Sequence, residues 1–408
     1  MTKLDEFIQE LCPDGVKYLP IPELFITRNG YTPSKANNEF WENGTIPWFR
    51  MEDIRENGRI LTTATQYVSE KAVKGKLFPA DSIIIATSAT IGEHALIKVP
   101  SLANQRFTYL TLKDEFKDCV DMMFVFYYCF RLDEYCKSHL NQGNFASVDM
   151  KQFAAFKFPV PPLPVQCEIV RILDNFTELT AELTAELTAR KQQYAYYRDK
   201  LLNRPHDSTK IITIGELGSW SGGKTPSMDN SDYWENGTTP WITSKDMKVS
   251  TLEDTEDHIT EKAISEASMT VYPPNGVAVV TRSGILKHTL PVAFVPFATT
   301  VNQDIKMLVA GKGVLPRYAF HAIQGKSPDI LAKAKKQGGT VDSLEFKKFL
   351  DYEIPLPSLE VQKRLVEVLD NFDTLCTDLS SGLPAEIEAR QKKYEYYRDK
   401  LLSFEEKI

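Results

Sequence analysis

The chain has 408 residues and a formal net charge of −7, which is enough length for two or three domains with cores of their own. The acidic balance argues against a protein that coats nucleic acid by bulk electrostatics, because such affinity comes from Lys and Arg neutralising phosphates. The six cysteines form no Cys-x-x-Cys pair, and the longest apolar run, residues 120–130, is too short to span a membrane. We therefore expect a cytoplasmic protein with no zinc site and no membrane partner.

One unit occurs twice along the chain. Residues 41–48 read Trp-Glu-Asn-Gly-Thr-Ile-Pro-Trp, and the same letters return with one change at residues 234–241. The Asn-Gln of residues 104–105 returns in the same order at residues 302–303, while the stretches between the matched motifs diverge. Self-similarity of this kind indicates a duplicated structural unit. The framework is shared, and the surface is not.

Short apolar runs indicate a buried sheet surrounded by helices. Residues 82–86 and 276–280 are rich in Ile, Val and Ala, as in a buried strand. The aromatic run at residues 124–128 predicts a buried helix. The expected fold class is therefore mixed α/β, with two globular α+β domains.

Each unit ends in a long amphipathic helix. After a Pro-rich stretch, apolar residues step by three or four positions from Val165 to Leu202 and again from Val361 to Leu402, as in the seam of a coiled coil. A single amphipathic helix usually packs on its own domain, but two matched helices of this length favour an antiparallel pair that acts as a spacer. Helix–helix contacts are predicted at Ile169, Ile172, Phe176, Leu179, Leu183, Leu187, Leu365, Phe372, Leu375 and Leu379.

The two helices differ in the middle. The first carries Thr-Ala-Glu-Leu twice, at residues 180–187, whereas the second is longer and has Gly-Leu-Pro at residues 382–384, which predicts a break followed by a fresh helical turn. One added four-residue unit lengthens a helix by roughly 6 Å and keeps its Leu side chains on nearly the same face. The expected division of the chain is 1–160 and 204–356 for the globular domains, and 161–203 and 357–408 for the helical regions.

These features resemble the DNA-specificity subunits of type I restriction-modification enzymes, particularly the type IC group. The resemblance covers essentially the whole chain. It rests on Pro-Pro-Leu-Pro-Val-Gln at 161–166, on Leu-Pro-Ser-Leu-Glu-Val-Gln at 356–362, and on Tyr-Tyr-Arg-Asp-Lys-Leu-Leu at 196–202 and 396–402. The Thr-Ala-Glu-Leu repeat stands where the second helix has Gly-Leu-Pro-Ala-Glu-Ile, so the two helical regions are not interchangeable.

The resemblance implies a non-catalytic subunit whose two globular domains are target recognition domains. Each would read one half of a split sequence on double-stranded DNA. The helical regions would fix the gap between the halves and dock two methyltransferase subunits, and nuclease-translocase restriction subunits would join that assembly. No cofactor is expected in this chain, because S-adenosylmethionine, ATP and magnesium would belong to the partner subunits.

Base readout needs Arg, Lys, Asn and Gln on exposed loops. The repeated Asn-Gln pairs are interpreted as a structural turn, and each Lys or Arg taken singly is more often only a solvated surface residue. Candidates for DNA contact are polar residues in divergent or Gly-flanked stretches: Arg50, Lys71, Arg106, Asn141, Gln142 and Asn144 in the first domain, and Lys245, Arg282, Lys287, Lys335, Lys336 and Gln337 in the second.

Two other functions remain open. Residues 218–225 fit the phosphate-binding pattern Gly-x-x-x-x-Gly-Lys-Thr, which would make the chain a nucleic-acid ATPase. Pro226 disfavours a helix starting at Thr225, and Tyr31 stands where Lys224 should recur in the first unit, so a Gly-rich turn is favoured. The other alternative is a coiled-coil adaptor that joins proteins without touching DNA.

Overall fold

The computed structural model describes residues 3–141, 146–203, 209–336, 341–377 and 382–407. The α-helices are α1 (Lys3–Leu11), α2 (Ile21–Leu24), α3 (Met51–Asn57), α4 (Met122–Ser138), α5 (Met150–Ala155), α6 (Leu163–Asn203), α7 (Glu261–Glu266), α8 (Pro316–Ala334), α9 (Phe346–Leu350), α10 (Leu359–Thr377) and α11 (Leu383–Leu401). The strands are β1 (Tyr18–Pro20), β2 (Phe25–Asn29), β3 (Ile46–Phe49), β4 (Ile60–Leu61), β5 (Tyr67–Val68), β6 (Ser82–Ala86), β7 (His94–Ile97), β8 (Leu102–Ala103), β9 (Phe107–Leu112), β10 (Lys157–Pro159), β11 (Lys210–Thr213), β12 (Gly218–Gly222), β13 (Thr239–Ile242), β14 (Asp257–Ile259), β15 (Gly276–Val280), β16 (Val292–Val295), β17 (Thr300–Val301), β18 (Ile305–Ala310) and β19 (Glu353–Leu356).

The chain divides into two compact units. Unit 1 combines Met1–Thr180 with Arg390–Ile408, and unit 2 is the continuous stretch Ala181–Ala389. Helix α6 passes from the first unit into the second. Each unit therefore consists of one globular module together with parts of both helical regions.

The main sheets of the two units share the order of four strands, and the sheet of unit 1 has β4 as an additional edge strand. Unit 1 contains a sheet of order β2-β9-β6-β7-β4, and unit 2 contains β12-β18-β15-β16. Next to these lie the sheets β5-β3-β8 and β14-β13-β17 and the ribbons β1-β10 and β11-β19. The matched strands pair in the same register, since Ile83 faces Leu110 and Val277 faces Leu308. The duplication predicted from the sequence is confirmed.

The repeated Trp-Glu-Asn-Gly-x-x-Pro-Trp motif is a turn that leads into a strand. Asn43 and Asn236 have φ angles of 52° and 59°, in the left-handed region that Asn tolerates. The glycine after each Asn is required for space, because a Cβ atom on Gly44 would lie 2.6 Å from the carbonyl carbon of Tyr67. The two tryptophans of each motif then meet edge to face, with ring centroids 5.0 Å apart in unit 1 and 4.9 Å apart in unit 2.

The repeated Val-Gln motif anchors the start of each long helix. Gln166 is fully buried; its amide donates to the carbonyls of Cys119 and Pro161, and its oxygen accepts from the amide of Asp121. Gln362 makes the corresponding three bonds in unit 2. A buried side-chain amide must find such partners, and here they tie the helix start to the loop before α4 or α8.

The long helices pair with each other inside each unit. In unit 1, Phe176 of α6 stacks on Tyr397 of α11 with centroids 5.6 Å apart. In unit 2, Phe372 of α10 stacks on Tyr194 and Tyr197 of α6. One turn further along α10, Cys376 lies close to Lys191, so α6 and α10 run antiparallel there. The expected fold class, mixed α/β with paired long helices, is confirmed.

The predicted break in the second helical region is also observed. Helix α10 is described as far as Thr377, Gly382 lies in a bend outside any helix, and α11 begins at Leu383 with Pro384 in its first turn. The missing backbone amide of proline would be unpaired at this position in any case. By contrast, α6 runs without interruption for 41 residues through the Thr-Ala-Glu-Leu repeats.

The predicted helix contacts are of two kinds. Ile169 and Leu365 are buried in the cores of their units, as in ordinary domain helices. Towards the middle of the helices the stripe becomes accessible, since Leu179 is 43% exposed and Leu375 is 37% exposed. Ile172, Phe176, Leu183, Leu187 and Phe372 are half-buried, and Leu379 lies outside the described residues.

Candidate nucleic-acid interface

Three loops meet at one place in unit 1, and we call them loop cluster 1: residues 87–89, residues 104–106, and the strand-like stretch at 141 and 146–148. The amide of Thr87 donates to the carbonyl of Arg106 over 2.9 Å, and the amide of Val148 donates to the carbonyl of Thr87 over 2.9 Å. The amide of Asn141 bonds Ser147 in turn. Two candidate residues, Arg106 and Asn141, are brought together in this way.

Loop cluster 2 is the matching arrangement in unit 2, formed by residues 281–283, 302–304, 335–336 and 341–344. The amide of Thr281 donates to the carbonyl of Asp304 over 2.7 Å, and the amide of Lys336 donates to the carbonyl of Ser343 over 2.8 Å. Arg282 forms a β-bridge with Ser343. The cluster brings together Arg282 with Lys335 and Lys336, which lie more than fifty positions further along the chain. Lys287, the fourth candidate of this region, follows Leu286, whose carbonyl accepts from the Lys335 ammonium.

The candidate residues in and beside loop cluster 2 differ in their exposure and in their ion pairs. Lys287 and Lys336 are exposed. Lys335 is half-buried, because its ammonium donates to the carbonyl of Leu286 and pairs with Asp342 at 3.0 Å. Arg282 pairs with Asp304 at 2.6 Å. The Arg282 side chain remains 55% exposed in this pair. Because exposed ion pairs add little to stability, the guanidinium can exchange Asp304 for another partner at the surface.

A pocket of about 270 Å³ in unit 1 borders loop cluster 1. Arg50, at the start of α3, and Arg106 both line it, together with Lys35, Gln105 and Glu52. Three cations against one carboxylate give this pocket a positive balance, which suits a phosphate or the acceptor atoms of a base edge. Arg50 is fixed by a bond from its guanidinium to the Thr65 hydroxyl at 2.9 Å.

The remaining candidates do not join these clusters. Lys71 lies in a 3-10 turn and pairs with Glu39 at 3.1 Å. Lys245 is exposed in the turn that follows β13, where its amide donates to the Thr243 hydroxyl. Gln142, Asn144 and Gln337 lie outside the described residues.

Sequence reasoning missed Lys35 and underrated the glutamines of the repeated Asn-Gln pairs. The asparagines do form a turn, as expected: Asn104 Oδ1 accepts from the amide of Arg106, and Asn302 Oδ1 accepts from the amide of Asp304, each at 3.0 Å. The glutamines point outward. The repetition of the pair was the available signal, but it does not separate a structural residue from a presented one.

The phosphate-loop pattern has another structure. Its first five residues form strand β12, and neither Lys224 nor Thr225 begins a helix. Gly223 is required because a Cβ atom there would lie 1.6 Å from the carbonyl oxygen of Val301. The carbonyl of Lys224 accepts from the indole of Trp241. A phosphate loop instead needs its Lys and Ser/Thr at the start of a helix, so the ATPase alternative is not favoured. In place of the predicted Gly-rich turn, the pattern forms a strand followed by an irregular stretch at residues 223–225.

Buried ionic clusters fix helices rather than forming an open site. In unit 1 the His94 ring bonds the Asp133 carboxylate at 2.7 Å, and burial raises the pKa of Asp133 while His94 and Arg59 act against that shift. In unit 2 Arg317 of α8 pairs with Asp370 and Asp373 of α10. Among the residues that the structure describes, no group of three His, Cys, Asp or Glu side chains could hold a metal ion.

No helix among the described residues is both long enough and apolar enough to cross a lipid bilayer.

The fold and the loop clusters define a two-module protein whose modules share a framework and differ in their presented polar side chains. A family model for the type I restriction modification DNA specificity domain matches residues 13–190 and again residues 207–389. The two matches cover most of the chain, and the chain belongs to this family.

Similar proteins and structures agree with that assignment. The type I restriction enzyme EcoprrI specificity subunit of Escherichia coli is 42% identical over 385 residues, which are 90% of each chain. The EcoR124I/EcoR124II specificity subunit of Escherichia coli is 44% identical over 274 residues, covering 65% of this chain and 68% of that one.

Two solved structures share the fold. A chain from work on complex assembly and conformational transition of the type I R-M system matches with a TM-score of 0.68, 14% identity and coverage of 96% and 98%. The type I restriction-modification S subunit from M. genitalium matches with a TM-score of 0.50, 14% identity and 95% coverage of both chains. At that identity the likeness concerns the fold alone.

Proposed function

We propose that this chain is the DNA-specificity subunit of a type I restriction-modification complex, with each module reading one half of a bipartite target on double-stranded DNA. The observation that carries this proposal is the contrast between fixed framework and variable side chains. Arg106 and Asp304 occupy equivalent turn positions, and so do Arg50 and Thr243, whose amides each donate to an aspartate three residues on at 2.7 Å. Modules that read different bases need this combination.

The proposed division of labour follows the duplicated architecture. Residues 1–160 and 204–356 are the target recognition domains, and residues 161–203 and 357–408 are the helical regions that set the gap between half-sites. Two modules on a defined spacer make half-site spacing a geometric property of the protein. Their linkage also raises the affinity of the second contact through effective concentration.

The helical regions also supply two equal docking surfaces. Tyr196 and Tyr396 begin the same seven-residue sequence and are 60% and 63% exposed. Tyrosine is enriched among residues that dominate protein interfaces. A surface that occurs twice suits two copies of one partner, which we assign to two methyltransferase subunits.

The chain is assigned no catalytic step. Restriction-translocase subunits complete the assembly, and S-adenosylmethionine, ATP and magnesium are placed in the partner subunits. The methyltransferase subunits also provide phosphate contacts, which compensates for the net charge of −7. The cytoplasmic location and the absence of a cofactor in this chain stay predictions.

The deciding experiment is a selection. The chain is purified with methyltransferase subunits and used to enrich bound duplexes from a randomised pool. We expect two short conserved blocks separated by a gap of fixed length. A pool in which no split sequence is enriched contradicts the proposal, and a complex that retains no duplex at all favours the coiled-coil adaptor.

A substitution at Lys224 tests the ATPase alternative. Lys224→Ala is expected to leave both the selected sequence and the background ATP hydrolysis of the isolated chain unchanged, because Lys224 lies in the irregular stretch after β12 and begins no helix. Loss of an intrinsic ATPase activity in this variant would support the enzyme instead.

A further inference from the structure

One side-chain arrangement is the same in both units although most of its neighbours differ. The Thr32 hydroxyl donates to Gln105 Oε1 in unit 1, and the Thr225 hydroxyl donates to Gln303 Oε1 at 2.6 Å in unit 2. Both glutamines are exposed. The threonine occupies the amide oxygen, so the amide NH₂ group of each glutamine is left to donate to an atom outside the protein.

The backbone under each glutamine is fixed as well. The preceding asparagine closes a turn by accepting from the amide two residues on, at 3.0 Å in both units. In unit 2 the amide of Asn302 also donates to the carbonyl of Ile242, and in unit 1 the amide of Asn104 donates to the carbonyl of Phe49, each at 3.0 Å. Such anchoring holds a presented donor in one place before a ligand arrives.

The positions around the glutamines change character from one unit to the other. The residue after Gln105 is Arg106, whereas the residue after Gln303 is Asp304. The position of Glu52 in unit 1 is taken by Lys245 in unit 2, because each lies one residue before the aspartate that caps its turn. Gln105 therefore lies in a pocket of positive balance, while Gln303 has an aspartate beside it.

We propose that Gln105 and Gln303 are matched positioning donors to DNA phosphate oxygens, one in each half-site, and that the differing residues beside them read the bases. A base contact from both glutamines would impose the same base on both half-sites. A phosphate contact carries no sequence information and can be kept in both modules. This inference rests on the proposed function.

The test uses the full chain assembled with its methyltransferase subunits and a duplex carrying the sequence that the wild-type complex selects. Gln105→Ala and Gln303→Ala are each expected to weaken binding roughly tenfold, the effect of losing one hydrogen bond to a charged group. Repeating the selection with each variant is expected to return the wild-type sequence. Gln192→Ala, at an exposed position on α6, is the matched control and is expected to bind normally.

Gln105→Glu separates a DNA contact from a role in folding. The carboxylate can still accept from the Thr32 hydroxyl, but it has no N–H and repels phosphate. We expect this variant to bind DNA more weakly than Gln105→Ala. Wild-type affinity in Gln105→Glu would show that the glutamine only stabilises its turn, and would overturn the proposal.

Two further measurements identify the atom contacted. A neutral amide displaces no counterion from DNA when the protein binds, whereas an arginine that neutralises a phosphate does. The slope of log K against log salt is therefore expected to stay the same in Gln105→Ala and to become shallower in Arg106→Ala. Single methylphosphonates in the duplex are expected to weaken wild-type binding at one phosphate per half-site, and to have no further effect there in the matching Gln→Ala variant.

The failures are distinguishable. A changed base preference in Gln105→Ala or Gln303→Ala means that the glutamines read bases, which overturns the inference and leaves the proposed function intact. A wild-type complex that selects no split sequence overturns the proposed function before any glutamine variant is measured.

Discussion

His321 is fully buried in unit 2, where three helices meet. Its Nε2–H donates to the Asp370 carboxylate of α10 at 2.7 Å, and its Nδ1 accepts from the Tyr194 hydroxyl of α6 at 3.2 Å. In the neutral imidazole, Nε2 carries the proton and Nδ1 is the acceptor. Burial lowers the pKa of His321, the bond to Asp370 acts against that shift, and the nearby Arg317 cation reinforces it. One side chain therefore joins the module to both helical regions of its unit.

The lowered pKa makes the stability of unit 2 depend on pH. Below about pH 6.5, the ordinary histidine value, the unfolded chain binds a proton that the folded unit takes up less readily, so stability falls on acidification. The pKa of Asp370 is lowered by its bonds to His321 and Arg317 in spite of burial. The stability that this carboxylate provides is therefore lost only as the pH falls below the ordinary aspartate range, which lies under the interval from pH 7 to 5. We expect the urea midpoint of unit 2 to fall as the pH drops from 7 to 5.

The dependence should disappear with the histidine. His321→Gln is expected to lower the free energy of unfolding at pH 7.5 by about 1–3 kcal/mol, because buried polar partners lose a bond, and to flatten the fall between pH 7 and 5. His288→Gln, which removes an exposed histidine of the same unit, serves as the control. An equally steep fall in His321→Gln would assign the pH dependence to another group.

At the scale of elements, α6 behaves differently along its length. Near its start Val165, Ile169 and Leu173 are buried in the core of unit 1, and near its end Tyr194 and Leu202 are buried in unit 2. The Thr-Ala-Glu-Leu repeats lie in the accessible stretch between these anchors. Residues can be added there without disturbing either core, whereas an insertion near an anchor would displace buried side chains.

Inserting one more Thr-Ala-Glu-Leu after Leu187 is therefore expected to give a folded protein that prefers a wider gap between half-sites. The helix gains about 6 Å and turns by roughly 40°, which corresponds to one or two base pairs at about 3.4 Å each. Selection from a randomised duplex pool measures the gap. The control is Thr184→Ala combined with Glu186→Gln, two exposed positions, which keeps the length of the helix and Leu187. An unchanged gap after the insertion would show that α6 does not set the spacing.

For the whole molecule, the duplicated topology predicts that the modules can be exchanged separately. Replacing residues 218–352 by the matching segment of a related specificity subunit leaves the ribbon β11-β19 intact and keeps α6 and α10. We expect the selected sequence to change in one half-site only, with the gap and the other half unchanged. A change in both half-sites would mean that the modules do not read independently.

Much of the fold could be predicted from the sequence because it is repetitive. The strands at 82–86 and 276–280, the continuous first helix and the fresh turn at Pro384 all follow from local patterns. Which segments make up unit 1 could not be predicted, because the association of Arg390–Ile408 with Met1–Thr180 depends on tertiary contacts. Nothing in the local sequence records that the Arg131 guanidinium bonds the Ser403 hydroxyl at 2.6 Å.

The candidate site shows the same limit. Exposed polar residues could be named from loop composition, but the grouping of Arg50 with Arg106 depends on two loops more than fifty positions apart meeting at one pocket. Lys71 is also a cation predicted to lie in a loop, yet it pairs with Glu39 and does not line that pocket. The outward glutamines depend on threonines 73 and 78 positions away.

The composition of unit 1 also sets an order of events during synthesis. A ribosome completes Ala181–Ala389, the whole of unit 2, before it makes Arg390–Ile408. The core of unit 1 cannot be completed before Leu402, which is fully buried in it, and Phe404, whose carbonyl accepts from the Tyr18 hydroxyl, have been synthesised. The module that is translated first is therefore the last to have all the residues of its core. Until then, the apolar surface that Leu402 covers is accessible to chaperones and proteases.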